Sequence, residues 1–429
     1  MPDTRRRPHV VIIGGGFGGI SAARTLRRAD VDVTVIDRTN HFIFQPLLYQ
    51  VATGALAPSD ITAPIRWILR RQKNTRVVMG EVKEVDPERR LVRIDDEDLR
   101  EVEYDYLIVA PGARHHYFGH EEWEPYAPGL KAIEDASEIR RRFLLAYENA
   151  EKAGDERERD EFLTFVIIGG GPTGVELSGA IPYIAKKALA SEFRIVDTNR
   201  TKVILVEAGP RILPSFPEDL AVHAAKDLAD LGVEVRVNSL VTKVERDGVS
   251  IGNEKIHART AFWAAGNTAS PLGKFLGAPL DNAGRVKVNA DLSVPGHPEV
   301  FAIGDLATYQ QDGHLVPWVC PAANQQGSAA AKSIIRDLRH QPRKTFHYFN
   351  KGDLATIGRS RAIANFGRVR FAGRAAWFLW LFVHIMYLVG FRNRVVVFIE
   401  WAYAYFTNQA GVRLITDVER YKPPASETA

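Results

Sequence analysis

Apolar and polar positions along the chain follow a repeated order. His9 to Ile13 is a short, continuous apolar run, the pattern of a strand buried on both faces. A glycine cluster follows, then a helical segment from Ile20 to Arg28 and a second strand from Val31 to Ile36. The order returns later: strand Phe165 to Ile168, another glycine cluster, a helical stretch Ala180 to Ser191, a connecting excursion Glu192 to Arg200, and strand Lys202 to Val206. Tyr106 to Gly112 and Phe262 to Gly266 are two more buried strands closed by a glycine turn. Strands alternating with helices predict an α/β chain with two Rossmann-like units.

The chain ends differently. Ala375 to Phe391 is a seventeen-residue apolar run broken only by His384, and Val395 to Phe406 is a twelve-residue run containing Glu400. The first falls just short of a spanning helix, and the second is too short to return across a bilayer. Arg392 and Arg394 lie between the runs, Arg368, Arg370 and Arg374 precede them, and Trp377, Trp380, Trp401, Tyr403 and Tyr405 lie within them. That mixture predicts helices lying in a membrane interface, anchored without crossing. The alternative use of the same faces is core packing or a homodimer interface.

Length and charge narrow the classes. A chain of 429 residues, 45% hydrophobic and 25% charged, holds two or three globular domains. Mean hydropathy of −0.16 fits a peripheral protein. The net charge of +4 is uneven: residues 341–429 hold thirteen Lys or Arg against five Asp or Glu, leaving about −4 for the rest. With the basic residues set beside aromatic runs, an anionic lipid surface is expected and nucleic acid is not. The single cysteine, Cys320, excludes an intramolecular disulfide and a Cys-rich metal or iron–sulfur site, and no metal is expected. Three arginines at the start lead directly into the first strand, so a cytoplasmic chain is the simplest expectation.

The glycine clusters carry the chemistry. Gly14, Gly16 and Gly19 fit GxGxxG, and Asp37 follows eighteen residues after the last of them. The first glycine permits the tight turn, the second lets backbone approach a pyrophosphate, and the third lets helix pack on strand. The helix N-terminus then faces the phosphates, and Asp37 is placed for the adenosine ribose. Gly169, Gly171 and Gly174 repeat the motif, with Glu207 thirty-three residues on, a lengthened crossover. Glu207 suits a free ribose 2′-hydroxyl and repels a 2′-phosphate, which favours NADH over NADPH despite Arg211 nearby.

Two such loops 155 residues apart, with Gly304-Asp305 closing a later strand, resemble the two-dinucleotide-domain flavoprotein reductases. The resemblance implies FAD on the first loop, NADH on the second, and Gly304 and Asp305 at the ribityl and phosphate region of the flavin. Gly112 and Gly266 would turn the chain at its two crossings between domains. Asn40 to Tyr49 with Val51-Ala52-Thr53-Gly54, Glu207 to Pro214, and Gly390 to Arg394 are similar to the type II NADH dehydrogenases. That family's quinone signature, AQxAxQ, is matched by Cys320-Pro321-Ala322-Ala323-Asn324-Gln325, so Gln325 carries over while Pro321 replaces the first glutamine. Glu176 matches the family's acidic residue near nicotinamide and flavin, with an implied role in quinone protonation.

These readings predict an FAD domain in two parts, 1–119 and 269–340, an NADH domain at 120–268, and a C-terminal cap with membrane-anchoring helices at 341–429. The expected protein oxidises NADH through FAD and reduces a membrane quinone without ion pumping, from the cytoplasmic face of the inner (cell) membrane. Glu176 and Gln325 are the expected catalytic residues. The rival expectations are a ferredoxin- or rubredoxin-type reductase docking an acidic protein on the basic tail, and a flavin-bearing redox sensor or scaffold.

Overall fold

Short apolar runs between glycine turns become parallel strands here because both of their faces are covered. The computed structural model describes residues 6–96, 98–407 and 411–416. Its opening elements are β1 (His9–Ile13), α1 (Phe17–Thr25), β2 (Asp32–Asp37), α2 (Leu48–Ala52), β3 (Thr75–Met79) and β4 (Tyr106–Val109). Next come α3 (Ile133–Lys152), β5 (Thr164–Ile168), α4 (Pro172–Tyr183), β6 (Lys202–Val206), β7 (Val233–Arg236) and β8 (Thr260–Trp263). Later elements are β9 (Ser293–Val294), β10 (His297–Ala302), α5 (Cys320–Leu338), β11 (Asp353–Gly358), β12 (Arg361–Phe366), β13 (Val369–Ala372), α6 (Arg374–Tyr387) and α7 (Phe391–Thr407).

One compact unit comprises the chain up to Phe42, Thr62–Arg114 and Asn267–Lys351. Its six-stranded sheet has the order β9-β10-β4-β1-β2-β3, parallel except at β9. The register His9↔Asp32 to Ile13↔Ile36 sets the end of β1 beside the end of β2, so the glycine loop meets Asp37. Val11, Ile13, Ile36, Leu107 and Val300 lie in the core on one side of the sheet. Helices α1 and α5 cross at two glycines, where a Cβ on Gly327 would stand 2.1 Å from the Gly18 carbonyl oxygen. The Ser21 hydroxyl donates to the Asn324 carbonyl at 2.8 Å across the same crossing.

The other unit comprises Ile43–Ile61, His115–Gly266 and the chain from Gly352 on. Its parallel sheet has the order β7-β6-β5-β8, and the register Thr164↔Lys202 to Ile168↔Val206 repeats that of β1 and β2. The long spacing to Glu207 is accounted for by a π turn, Ile184–Ala188, and a single 3-10 turn, Thr198–Arg200, inserted before β6. An antiparallel sheet of three strands, β11-β12-β13, packs on α4, where a Cβ on Gly179 would lie 1.5 Å from the Ile357 carbonyl oxygen. The apolar terminal runs form α6 and α7. Residues 43–61, expected with the first block, group with this second unit because α2 packs against α3 and α4. Of the terminal cap expected at 341–429, the part up to Lys351 falls in the first unit and the part from Gly352 in this one.

Candidate active site

In the first loop Gly14 has φ of +98°, and a Cβ there would sit 2.1 Å from the Ala110 carbonyl oxygen. A Cβ on Gly19 would meet the Gly14 oxygen at 1.8 Å. Gly16 is the opposite case, with open space where its Cβ would point. The loop thus closes tightly at its ends and opens at its middle, the shape that a pyrophosphate requires. The Asp37 carboxylate accepts from the Gly15 N–H at 2.6 Å, and from the Thr39 N–H at 2.7 Å and hydroxyl at 2.8 Å. It therefore orders the loop from the end of β2.

The second loop repeats this. Gly169 has φ of +110°, a Cβ on Gly174 would meet the Gly169 oxygen at 1.9 Å, and Gly171 faces open space. Glu207 accepts from the Gly170 N–H at 2.6 Å and the Gly209 N–H at 2.7 Å. Arg211, four residues beyond Glu207, donates to the carbonyls of Leu213, Pro214 and Phe216 at 2.9–3.2 Å. Three of its five N–H groups are thereby engaged. The residues of both loops fit dinucleotides.

Gly112 and Gly266 adopt φ of +74° and +69°, turns that favour glycine, each three residues past the end of its strand. Gly304, with φ of +65°, and Asp305 begin a 3-10 turn just beyond β10. The Gly304 N–H donates to Gln326 Oε1 at 2.6 Å, so the buried Gln326 secures this turn to α5. Sequence reading left Gln326 without a role, and nothing in the local pattern signals a partner twenty-two residues away. Pro321 stands in the first turn of α5, where a missing N–H costs nothing. Gln325 gives both ends of its amide to one backbone: Nε2 donates to the Phe349 carbonyl at 3.0 Å, and the Phe349 N–H donates to Oε1 at 2.9 Å. One hydrogen on Nε2 and one lone pair on Oε1 remain.

Glu176 lies in the second turn of α4, partly accessible to solvent but ringed by protein. Burial pushes its carboxyl up to about 8, against the opposing effect of a hydrogen bond from the Thr356 backbone on β11. Beside it, α2 carries two residues that sequence reading passed over. The Tyr49 hydroxyl is held well above its ordinary range, by burial first and then by the Glu176 charge. Gln50 Nε2 donates to that hydroxyl at 2.9 Å, and Trp401 Nε1 of α7 donates to Gln50 Oε1 at 2.7 Å. Trp380 is buried between Tyr49, His384 and Trp401. His384 Nδ1–H donates to the Trp380 carbonyl, 2.7 Å away, and burial lowers the imidazole to about 4. At neutral pH it is an uncharged helix residue.

The outer faces of α6 and α7 expose Phe378, Phe382, Met386, Phe391, Phe398 and Phe406, with Phe391 and Phe406 each 81% exposed. Arg368, Arg374 and Arg392 are exposed alongside. No helix among the described residues is long and apolar enough to cross a membrane, and none of their His, Cys, Asp and Glu side chains cluster as a metal site.

Comparison with known proteins agrees across the chain. A family model described as pyridine nucleotide-disulphide oxidoreductase matches residues 8–327, and one described as NDH2 C-terminal domain matches residues 350–409. A Mycobacterium tuberculosis protein named type II NADH:quinone oxidoreductase NdhA is 45% identical over 96% of this chain and 90% of its own. A second from that organism, type II NADH:quinone oxidoreductase Ndh, is 41% identical over 97% and 92%. The structure of NDH2 from Plasmodium falciparum in complex with NADH has the same fold, with a TM-score of 0.86 at 23% identity, covering 95% of this chain and 99% of that one. With both glycine loops, the terminal domain and these relatives in agreement, the chain belongs to the type II NADH:quinone oxidoreductase family.

Proposed function

We propose that the chain is a peripheral membrane flavoenzyme that oxidises NADH and reduces a membrane quinone. The reading is supported by the two glycine loops, the terminal domain and the relatives described above, and by Glu176, whose carboxyl burial pushes up to about 8. Quinone reduction consumes two protons, hydride covers only part of that, and a neutral acid at pH 7 can supply the rest. FAD, when bound, would supply the two-electron redox chemistry linking NADH oxidation to quinone reduction.

The chain's own residues do the remaining work. Gly14, Gly16 and Gly19 with Asp37 would hold the adenosine and pyrophosphate of FAD, and Gly304 and Asp305 its ribityl and phosphate region. Gly169, Gly171, Gly174 and Glu207 would hold NADH, with Glu207 repelling a 2′-phosphate, while Arg211 has three of its five N–H groups bound to backbone carbonyls. Glu176 is the proposed proton donor to quinone, and Gln325 keeps one amide N–H available for a further hydrogen bond. The exposed phenylalanines and arginines of the terminal helices rest on anionic lipid at the inner face of the cell membrane, with no ion carried across.

Anaerobic stopped-flow absorbance on detergent-purified holoenzyme tests this. Fast flavin bleaching by NADH followed by fast reoxidation with a short-chain quinone is expected. Bleaching without a quinone response would transfer the reading to a protein acceptor, and absence of flavin would remove it.

A further inference from the structure

Two turns of the first unit meet in a face that carries charge of one sign. Arg24 lies in the last turn of α1, and Arg27 and Arg28 belong to the single 3-10 turn that follows it. Arg70, Arg71 and Lys73 follow a helical turn, Ile65–Leu69, that leads into β3. Side-chain amides hold the two turns together. Gln72 Nε2 donates to the Ala23 carbonyl at 2.9 Å, and Asn74 Nδ2 donates to the carbonyls of Leu26 and Val31 at 3.1 Å. The six cations are exposed, and none of them has an ion pair among the described residues. Of the two acids alongside, Asp30 is already paired with Arg7 at 2.9 Å, which leaves Asp32. Residues 61–80 contain no Asp or Glu, although the chain outside 341–429 has a net charge of about −4. Trp67 stands in this face, 45% exposed, with the Arg70 guanidinium 4.2 Å from its ring centroid. Like charges gathered without counter-charges repel one another, so the face calls for an anionic partner.

We propose that this face is a second lipid-docking surface, carried by the unit with the first glycine loop and built for anionic headgroups. The proposal rests on the reading of the chain as a peripheral membrane protein. Arginine and lysine around an exposed indole is the make-up of a surface seated among headgroups, and the outer faces of α6 and α7 show the same combination of exposed aromatic rings and arginines. A specific protein partner would need an apolar centre to the contact, and within residues 23–34 and 64–76 Trp67 is the only large apolar side chain exposed. Single-stranded nucleic acid would stack bases on the indole, a position that the Arg70 guanidinium already occupies on one face. Lipid phosphates need neither, since each cation can take a separate headgroup. The basic face thereby adds an electrostatic, salt-sensitive hold to the apolar one of the terminal helices.

The test is co-sedimentation of holoenzyme with vesicles of phosphatidylcholine, with and without phosphatidylglycerol, at low ionic strength. Each Lys or Arg near an anionic surface is worth roughly five-fold in binding. The fourfold variant Arg27→Gln/Arg28→Gln/Arg71→Gln/Lys73→Gln should therefore bind the anionic vesicles at least about 30-fold more weakly, and the neutral ones within about two-fold of wild type. Trp67→Phe should remove part of the tryptophan quenching that brominated phosphatidylglycerol produces in wild type. Flavin content and the rate of bleaching by NADH should match wild type and so report folding, and Arg27→Gln/Arg28→Gln carries the test if the fourfold variant loses flavin. Undiminished binding of the variant to anionic vesicles, or an equal loss on both kinds, would overturn the proposal. Undiminished vesicle binding with weakened binding to polyuridylate or polyglutamate would overturn it in favour of nucleic acid or an acidic protein. Wild-type protein that sediments with neither kind of vesicle would instead overturn the membrane reading itself, and this proposal with it.

Discussion

Glu176 is ionised in an unfolded chain near its ordinary 4.5 and neutral in the fold to about 8. The group leaves stability unaffected below the lower value and penalises the fold increasingly as pH rises toward the higher one. Glu176→Gln should therefore raise Tm relative to wild type near pH 8.5 and leave it unchanged near pH 4, by calorimetry. An equal difference at both pH values would assign the effect to packing instead. The same substitution should slow quinone reoxidation on the order of 100-fold and abolish its decline above pH 8. The glycines of the second loop separate in the same way. Gly171→Ala fills an open space, so stability should change by less than about 1 kcal/mol while the NADH concentration giving the half-maximal bleaching rate rises at least about ten-fold. Gly174→Ala drives a methyl to 1.9 Å from a carbonyl oxygen and should unfold the loop.

Among the elements, α5 is held at three places: by Gly327 at α1, by Gln326 at Gly304, and by Gln325 at Phe349. Gln325→Ala should lower stability by about 1 kcal/mol through the partly exposed Phe349 bonds alone, measured by urea unfolding, before any effect on quinone is counted. Both glycine loops, the strands before them, Asp37 and Glu207 were legible in the sequence because local spacing and backbone sterics specify them. The terminal helices were legible because an apolar run is visible at any fold. Tyr49, Gln50, Trp401 and Gln326 were not, since each acts through a partner between 22 and about 350 residues distant. The grouping of residues 43–61 with the second unit was equally hidden, because α2 is only five residues long and its packing partners lie far along the chain.

At the scale of the whole molecule, the terminal helices expose an aromatic face with a basic border. Phe391→Ser, Phe398→Ser and Phe406→Ser together should weaken sedimentation with anionic vesicles by at least about ten-fold, each ring being worth roughly 1.5–3 kcal/mol when fully buried. Bleaching by NADH in detergent should persist. Binding of wild type should also weaken as salt is raised through the range where the Debye length shrinks from about 30 to about 8 Å, and vesicles of neutral lipid should show little of that dependence.

Cys320 is the only thiol in the chain, and it opens α5, five residues before Gln325 and partly exposed. A fluorophore or spin label coupled through a thiol therefore lands at a single address with no prior mutagenesis. Its signal becomes a local gauge of events at the first turn of that helix, readable in intact vesicles where flavin absorbance is obscured by scattering.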